Sequence, residues 1–187
     1  MTTMTAPATA EHAHDAWGVL TEPATLTIRR VLPGPIERVW AYLTDSDLRR
    51  KWLAAGRMEL AVGAPFELVW RNDELTDPAG ERPAGFGAEH RMQSRITECE
   101  PPRRLSFAWQ NGGDVTIALD VLVDGQVLLT LVHRRLPGGT TTLDVAAGWH
   151  AHLDVLVARA TGANKATVPF WDDWQRLRDA YAARIGG

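Results

Sequence analysis

Cysteine is nearly missing from this 187-residue chain. Cys99 stands alone, so no internal disulfide can staple the fold, and a reducing cytoplasm is the expected compartment. Long hydrophobic runs are missing too: none approaches the ~20 residues that a membrane-spanning helix needs. The N-terminus, MTTMTAPATAEHAHDAW, has neither the basic n-region nor the apolar h-region of a secretory signal. Neither sign of charge dominates. A formal net charge of −3 makes no electrostatic case for nucleic acid or an anionic membrane surface. Catalytic signatures are absent as well: there is no Gly-x-Ser-x-Gly, no HExxH, no P-loop, and no GxGxxG between a strand and a helix. A chain of this length can nonetheless bury a sizeable core.

Among the aromatics, tyrosine (two) and phenylalanine (four) are few, but tryptophan is abundant at eight. Each indole brings a large apolar area and an N–H that needs a partner. Several of them in one small domain suit a thick core or a polar-lined cavity. Residues 1–16, rich in Ala, Thr and Pro, show no periodic stripe and read as a disordered leader carrying His12 and His14 as solvated side chains. Residues 17–187 read as a single domain.

The segment Thr25–Trp52 organises the rest. Leu26, Ile28 and Arg30 alternate with Thr25, Thr27 and Arg29 in a first strand, and Pro33-Gly34-Pro35 turns the chain. Ile36, Val39, Trp40 and Leu43 then fall at i, i+3, i+4 and i+7, one stripe of a short helix. A second short helix follows, with Asp45 or Ser46 as cap and Leu48 and Trp52 on one side. Arg57–Leu60 and Ala64–Arg71 are strand candidates, the second with Phe66, Leu68 and Trp70 on one face. Residues 72–87, polar and rich in Gly and Pro, form a long loop of the kind that serves as a lid, an entrance or a hairpin tip.

An antiparallel meander comes next. Glu89–Cys99 ends at Pro101-Pro102. Leu105, Phe107 and Trp109 alternate up to Asn111-Gly112. Val115 to Val123 alternates up to Asp124-Gly125, which leads into Val127–Leu136. If Met92 and Ile96 face inward, strict alternation also turns His90, Ser94 and Glu98 inward. After Pro137-Gly138-Gly139 a helix is expected from about 143 to 160, with Trp149, Leu153, Leu156 or Val157, and Ala160 on a stripe and Gly162 as its stop. A last helix spans about 169–185, with Trp174, Leu177, Tyr181 and Ile185 apolar, acidic residues near its start and arginines near its end.

No residue set announces chemistry. His150 and Asp154, four apart, can hydrogen-bond. His150 and His152 point ~200° apart on a helix and cannot share a metal ion. His90 and His133 lie on strands, facing either a cavity or solvent. Cys99, beside a Pro-Pro turn and without an adjacent His, reads as a structural thiol.

Three motifs together resemble a known family. Pro35-Ile36-Glu37-Arg38-Val39-Trp40 with Leu43-Thr44-Asp45 and Trp52 is similar to the entry motif of the SRPBCC, or START-like, superfamily. Glu98-x-x-Pro101-Pro102-x-x-Leu105 with Phe107-x-Trp109, and Gly148-Trp149-x-x-x-Leu153-x-x-Leu156, resemble the branch named after the activator of the heat-shock protein 90 ATPase, in its bacterial stand-alone form. The match runs from about Trp17 to Gly162. One departure is Gly63-Ala64 where that branch has a double glycine.

The resemblance implies an α+β helix-grip fold: a curved antiparallel sheet around a long C-terminal helix, two short helices after the first strand, and an apolar cavity between sheet and helix. It further implies a binding or carrier protein for a small hydrophobic ligand, with no cofactor and no metal. Trp52, Trp70, Trp109, Trp149 and Leu153 are the expected apolar walls, and His90 and His150 the expected hydrogen-bonding groups. The alternatives are a polyketide cyclase- or hydrolase-like enzyme using His90, Glu98 or His150 as acid or base, and a module that binds a chaperone or regulatory protein. The chaperone partner is the weaker expectation, because the eukaryotic cochaperone relies on a separate chaperone-binding domain. Homodimerisation is left open, and neither nucleic acid binding nor membrane insertion is expected.

Overall fold

The structure, a computed structural model, describes residues 17–22, 24–162 and 168–185. The leader over residues 1–16 lies outside them. The core is a seven-stranded, wholly antiparallel sheet in the order β1-β2-β7-β6-β5-β4-β3. Its strands are β1 (Val19–Glu22), β2 (Thr25–Leu32), β3 (Pro65–Trp70), β4 (His90–Glu100), β5 (Arg104–Ala108), β6 (Asp114–Val121) and β7 (Val127–Arg134). The helices are α1 (Ile36–Thr44), α2 (Ser46–Arg49), α3 (Gly139–Ala160) and α4 (Phe170–Ile185). The curved sheet wraps α3, and α4 packs on the other side of that helix. This is the helix-grip α+β architecture that the motifs imply.

Alternation does most of the work in the sheet. Leu26 and Ile28 of β2 pair with His133 and Leu131 of β7, which pair in turn with Val115 and Ile117 of β6; all six are buried on the concave face. Burying a Leu, Ile or Phe side chain contributes ~1.5–3 kcal/mol each, and this row supplies much of the adhesion of sheet to helix. The meander turns form as their residues require. Asn111 and Gly112 both take positive φ (58° and 79°), the conformation that an Asn-Gly hairpin favours. Gly63 has φ +88° while Ala64 is not strained, so the replacement of a second glycine costs that turn nothing.

Two expectations are corrected and one strand is added. Arg57–Leu60 is not a strand: only Ala55 bridges to Val69, and Gly56, at φ +129°, then carries the chain off the sheet. A Cβ at Gly56 would sit 1.8 Å from the Glu67 carbonyl oxygen, so no other residue allows this approach. β1 adds an edge strand that its short, irregular sequence did not reveal. Most consequentially, strict alternation fails in β4. Ile96 pairs with Phe107 but Glu98, not Thr97, pairs with Ser106, a β-bulge that flips the face of everything after it.

The short helices hold a second surprise. The α1 stripe Ile36, Val39, Trp40 and Leu43 is buried as its spacing requires, and Asp45 caps α2 by accepting from the Asp47 and Leu48 N–H groups at 2.9 Å. In α2, however, Arg49 rather than Leu48 is the fully buried residue. Its guanidinium donates to the carbonyls of Leu43, Thr44, Ala54 and Gly56, closing the end of α1 onto the chain that leaves α2. Burial pulls its pKa down to about 10, which leaves it charged at neutral pH. Arg49→Met keeps the volume but strands four acceptors. It is expected to cost about 3 kcal/mol or more, read as a lower urea midpoint at unchanged m-value, with Arg49→Lys intermediate.

Candidate functional site

At the end where β3, β4 and β5 meet α3, sheet and helices do not close on one another. A pocket of about 400 Å³ remains, lined by residues from the sheet, from the loop after β3, and from both long helices. Trp70, at the end of β3, stands 5.8 Å in ring-centroid distance from Trp109, which follows β5. Trp109 stands 5.5 Å from Trp149 of α3. Opposite this row, Phe86 of the loop lies 5.1 Å from Trp171 and 5.0 Å from Trp174 of α4, with Phe170 behind them. Gly148 leaves the α3 wall bare between the rows: a Cβ there would meet nothing nearer than Trp174 Nε1 at 3.9 Å.

Three of the five wall indoles have their N–H groups satisfied by the protein itself. Trp149 donates to His133 Nδ1 at 3.0 Å, Trp174 to the Asp144 carbonyl at 3.3 Å, and Trp171 to the Asp73 carboxylate at 2.7 Å. Their ring faces, not their polar edges, are what these residues present to the pocket.

The loop at 72–87 is not a loose hairpin tip. Thr76 Oγ1 accepts from the Phe170 N–H and the Ala79 carbonyl accepts from the Trp171 N–H, both at 2.9 Å. Asp172 accepts from the Glu81 N–H at 3.3 Å, Arg82 pairs with Asp73 at 3.2 Å, and Leu75 is buried. The loop is thus a strap tied to the first turn of α4, holding Phe86 over the pocket.

Of the seven residues that the sequence nominates, Trp70, His90, Trp109 and Trp149 are on the pocket wall, and Trp52, His150 and Leu153 are not. Trp52 is fully buried beneath α1, its indole donating to the Tyr42 carbonyl at 2.8 Å, because the exit from α2 turns it inward rather than toward a mouth. Leu153 is equally buried, on the sheet side of α3. His150 belongs to a separate polar clamp. Its Nε2 lies 3.4 Å from Asp154, which Arg30 holds at 2.8 Å, and its Nδ1 accepts from the Tyr181 hydroxyl at 3.0 Å. The same hydroxyl accepts from the Gly18 N–H at 2.7 Å. That clamp joins β1, β2, α3 and α4. Burial moves the Tyr181 hydroxyl up to about 12.

Glu98, turned by the bulge, lies on the convex face. There it pairs with Arg104 and accepts from Ser106, each at 2.8 Å, and these partners hold its carboxyl below the usual carboxylate range. His90, Glu98 and His150 therefore do not converge.

His152, Phe86, Asn72, Trp171 and Trp174, none of them nominated from the sequence as site residues, are also on the wall. One signal was available for His152: at i+4 from Gly148 and i+3 from Trp149, it shares their face of α3. Its Nδ1 is 2.7 Å from the Trp52 carbonyl oxygen. Among the described residues no group of His, Cys, Asp or Glu is arranged to hold a metal ion, and no helix is long and apolar enough to cross a membrane.

A sheet gripping a long helix, with an open aromatic pocket at one end of the seam, is the plan of a ligand-binding fold. The chain belongs to the family of Activator of Hsp90 ATPase homolog 1-like proteins, whose model matches residues 33–161. Among solved structures it is similar to the protein encoded by BPP1335 from Bordetella parapertussis, at 36% identity over 97% of this chain and 95% of that one, TM-score 0.74. It shares its fold with CalU16 from Micromonospora echinospora, at 23% identity over 91% and 96% of the two chains and TM-score 0.63. It also shares it with the AHSA1-like protein from Aeromonas hydrophila, at 21% identity over 77% and 98% and TM-score 0.57. No curated protein matches the chain.

Burial lowers three histidine rings: His133 and His152 to about 4 and His150 to about 3. Each folded-state value lies below the unfolded 6.5, so the unfolded chain binds the protons first. Stability is full above pH 6.5 and falls as the pH drops toward 4. The slope approaches three protons, ~1.4 kcal/mol per pH unit for each group. Urea unfolding from pH 7.5 to 4 is expected to show this loss, and His152→Gln to remove about one third of the slope.

Proposed function

We propose that the protein binds or carries a small hydrophobic molecule in the pocket between the strap, α3 and α4, without chemistry of its own. The observation that carries this is the pocket itself: about 400 Å³, walled by two rows of aromatic rings, three of whose indole N–H groups are already partnered inside the protein. That volume and that lining, apolar with a few polar points, are what small-molecule sites have. Family membership supports the same reading, since the fold is one that encloses ligands.

Catalysis of the cyclase or hydrolase kind draws no support from the geometry. Of its three acid/base candidates, only His90 reaches the wall. Nor do the exposed large apolar side chains favour a protein-docking module: apart from Phe86 at the pocket, they are Val19 on the edge strand, Leu60 and Val62 before β3, Val121 and Val123 at the end of β6, and Val168 before α4. The lone Cys99 is in keeping with a reducing, cytoplasmic setting.

Titration with N-phenyl-1-naphthylamine tests the proposal. Fluorescence enhancement on saturable uptake is expected, and its absence in the folded protein would overturn the reading. Gly148→Leu, which places a side chain in the pocket where a Cβ meets no close neighbour, is expected to weaken uptake about tenfold or more. Its thermal midpoint should be held or raised, because a glycine in a helix interior is destabilising by roughly 0.5–1 kcal/mol.

A further inference from the structure

The pocket wall carries more information than its apolarity. His152 is neutral and buried, and its Nδ1 lies 2.7 Å from the Trp52 carbonyl oxygen, which can only accept. The proton must therefore be on Nδ1, and Nε2 is left as a bare acceptor on a residue of the wall. The Trp52 carbonyl is placed by a side chain buried to the last atom, so this tautomer is imposed by the core and does not adjust to a ligand. The Asn72 Oδ1, on another residue of the wall, is buried with no hydrogen-bond partner. Two acceptors of this kind, one of them fixed, are costly to enclose unless something donates to them.

Charge narrows the choice further. The carboxylates on the wall are already neutralised: Glu89 lies 2.7 Å from Arg71 and 2.6 Å from Arg91, and Asp144 lies 2.6 Å from Arg178. A cation finds no uncommitted carboxylate there, and no Lys or Arg stands on the wall to hold an anion. The two aromatic rows, Trp70–Trp109–Trp149 and Phe86–Trp174–Trp171, offer ring faces and edges at stacking distances.

We infer that the ligand is an uncharged, flat aromatic molecule bearing a hydroxyl or N–H group, and that His152 Nε2 reads this donor. The inference rests on the pocket-binding function proposed above and names what that pocket selects. His152 is thus a specificity-determining residue, and the Trp52 carbonyl is the group that sets its tautomer.

Two naphthalenes of nearly equal shape separate the outcomes. 2-Naphthol carries a donor; 2-methoxynaphthalene carries only an acceptor. Titrated into the full chain and followed by calorimetry, 2-naphthol is expected to bind about tenfold tighter, the worth of one well-made buried hydrogen bond. His152→Phe, which keeps an aromatic ring and removes the acceptor, is expected to bring the two within about twofold.

A second measurement needs no variant. In protein labelled with 15N-histidine, the His152 Nε2 resonance is expected at a pyridine-type position and to shift on adding 2-naphthol but not on adding 2-methoxynaphthalene. Equal affinities in the native chain, or an unmoved Nε2 while 2-naphthol is bound, would overturn the inference and leave the pocket reading intact. Failure of both naphthalenes, together with failure of N-phenyl-1-naphthylamine, would overturn the pocket reading itself.

Discussion

Helix α3 is buried around its circumference, and most of the molecule is arranged to make that tolerable. Trp149, His150, Ala151, His152 and Leu153 follow one another in sequence, and all are below a tenth exposed. At ~100° per residue these five go right round the helix. Little of this turn is left for water, the Asp154 side chain excepted, so its buried polar groups need internal partners. The two histidines meet that need in different directions. His150 reaches Tyr181 and Asp154 and so binds α4, β1 and β2 to the helix. His152 reaches the Trp52 carbonyl and binds the exit of α2. The grip is hydrophobic in energy, but these polar pairings set its geometry.

The pocket is the part of the seam that this packing leaves unfilled. Three of its tryptophans turn their N–H groups back into the protein, toward His133, Asp73 and Asp144. That choice leaves the ring faces of these three on the wall, beside the acceptors of His152 and Asn72. Gly148 supplies the missing volume on the helix, and the strap from Asn72 onward supplies the cover. The strap has almost no regular structure, yet its backbone is bonded to the start of α4, so it behaves as an extension of that helix's cap.

How much of this was legible depended on whether a feature is local. The α1 stripe, the Asn111-Gly112 turn, the concave alternation of β6 and β7, and the family motifs all depend on neighbours within a few residues, and they appear where the sequence places them. Glu98 was misassigned because a β-bulge adds a single residue, and period-two alternation has no memory of such a shift. Arg49 was invisible as a core residue because its partners are backbone carbonyls, which every residue has. Trp52 and Leu153 were expected on the pocket wall because burial and lining look alike in sequence; they are core, and Trp171 and Trp174 are lining.

The sequence by itself determined the antiparallel meander, the α1 stripe and the apolar character of the interior, because these follow from local periodicity and turn chemistry, and its family motifs implied the class of fold. Only the tertiary structure decided which of the eight tryptophans face the pocket, where the strap docks, and which nitrogen of His152 keeps its lone pair. Those outcomes depend on groups a hundred residues apart meeting within hydrogen-bond distance, as His152 and Trp52 do, and no pattern along the chain encodes such a meeting.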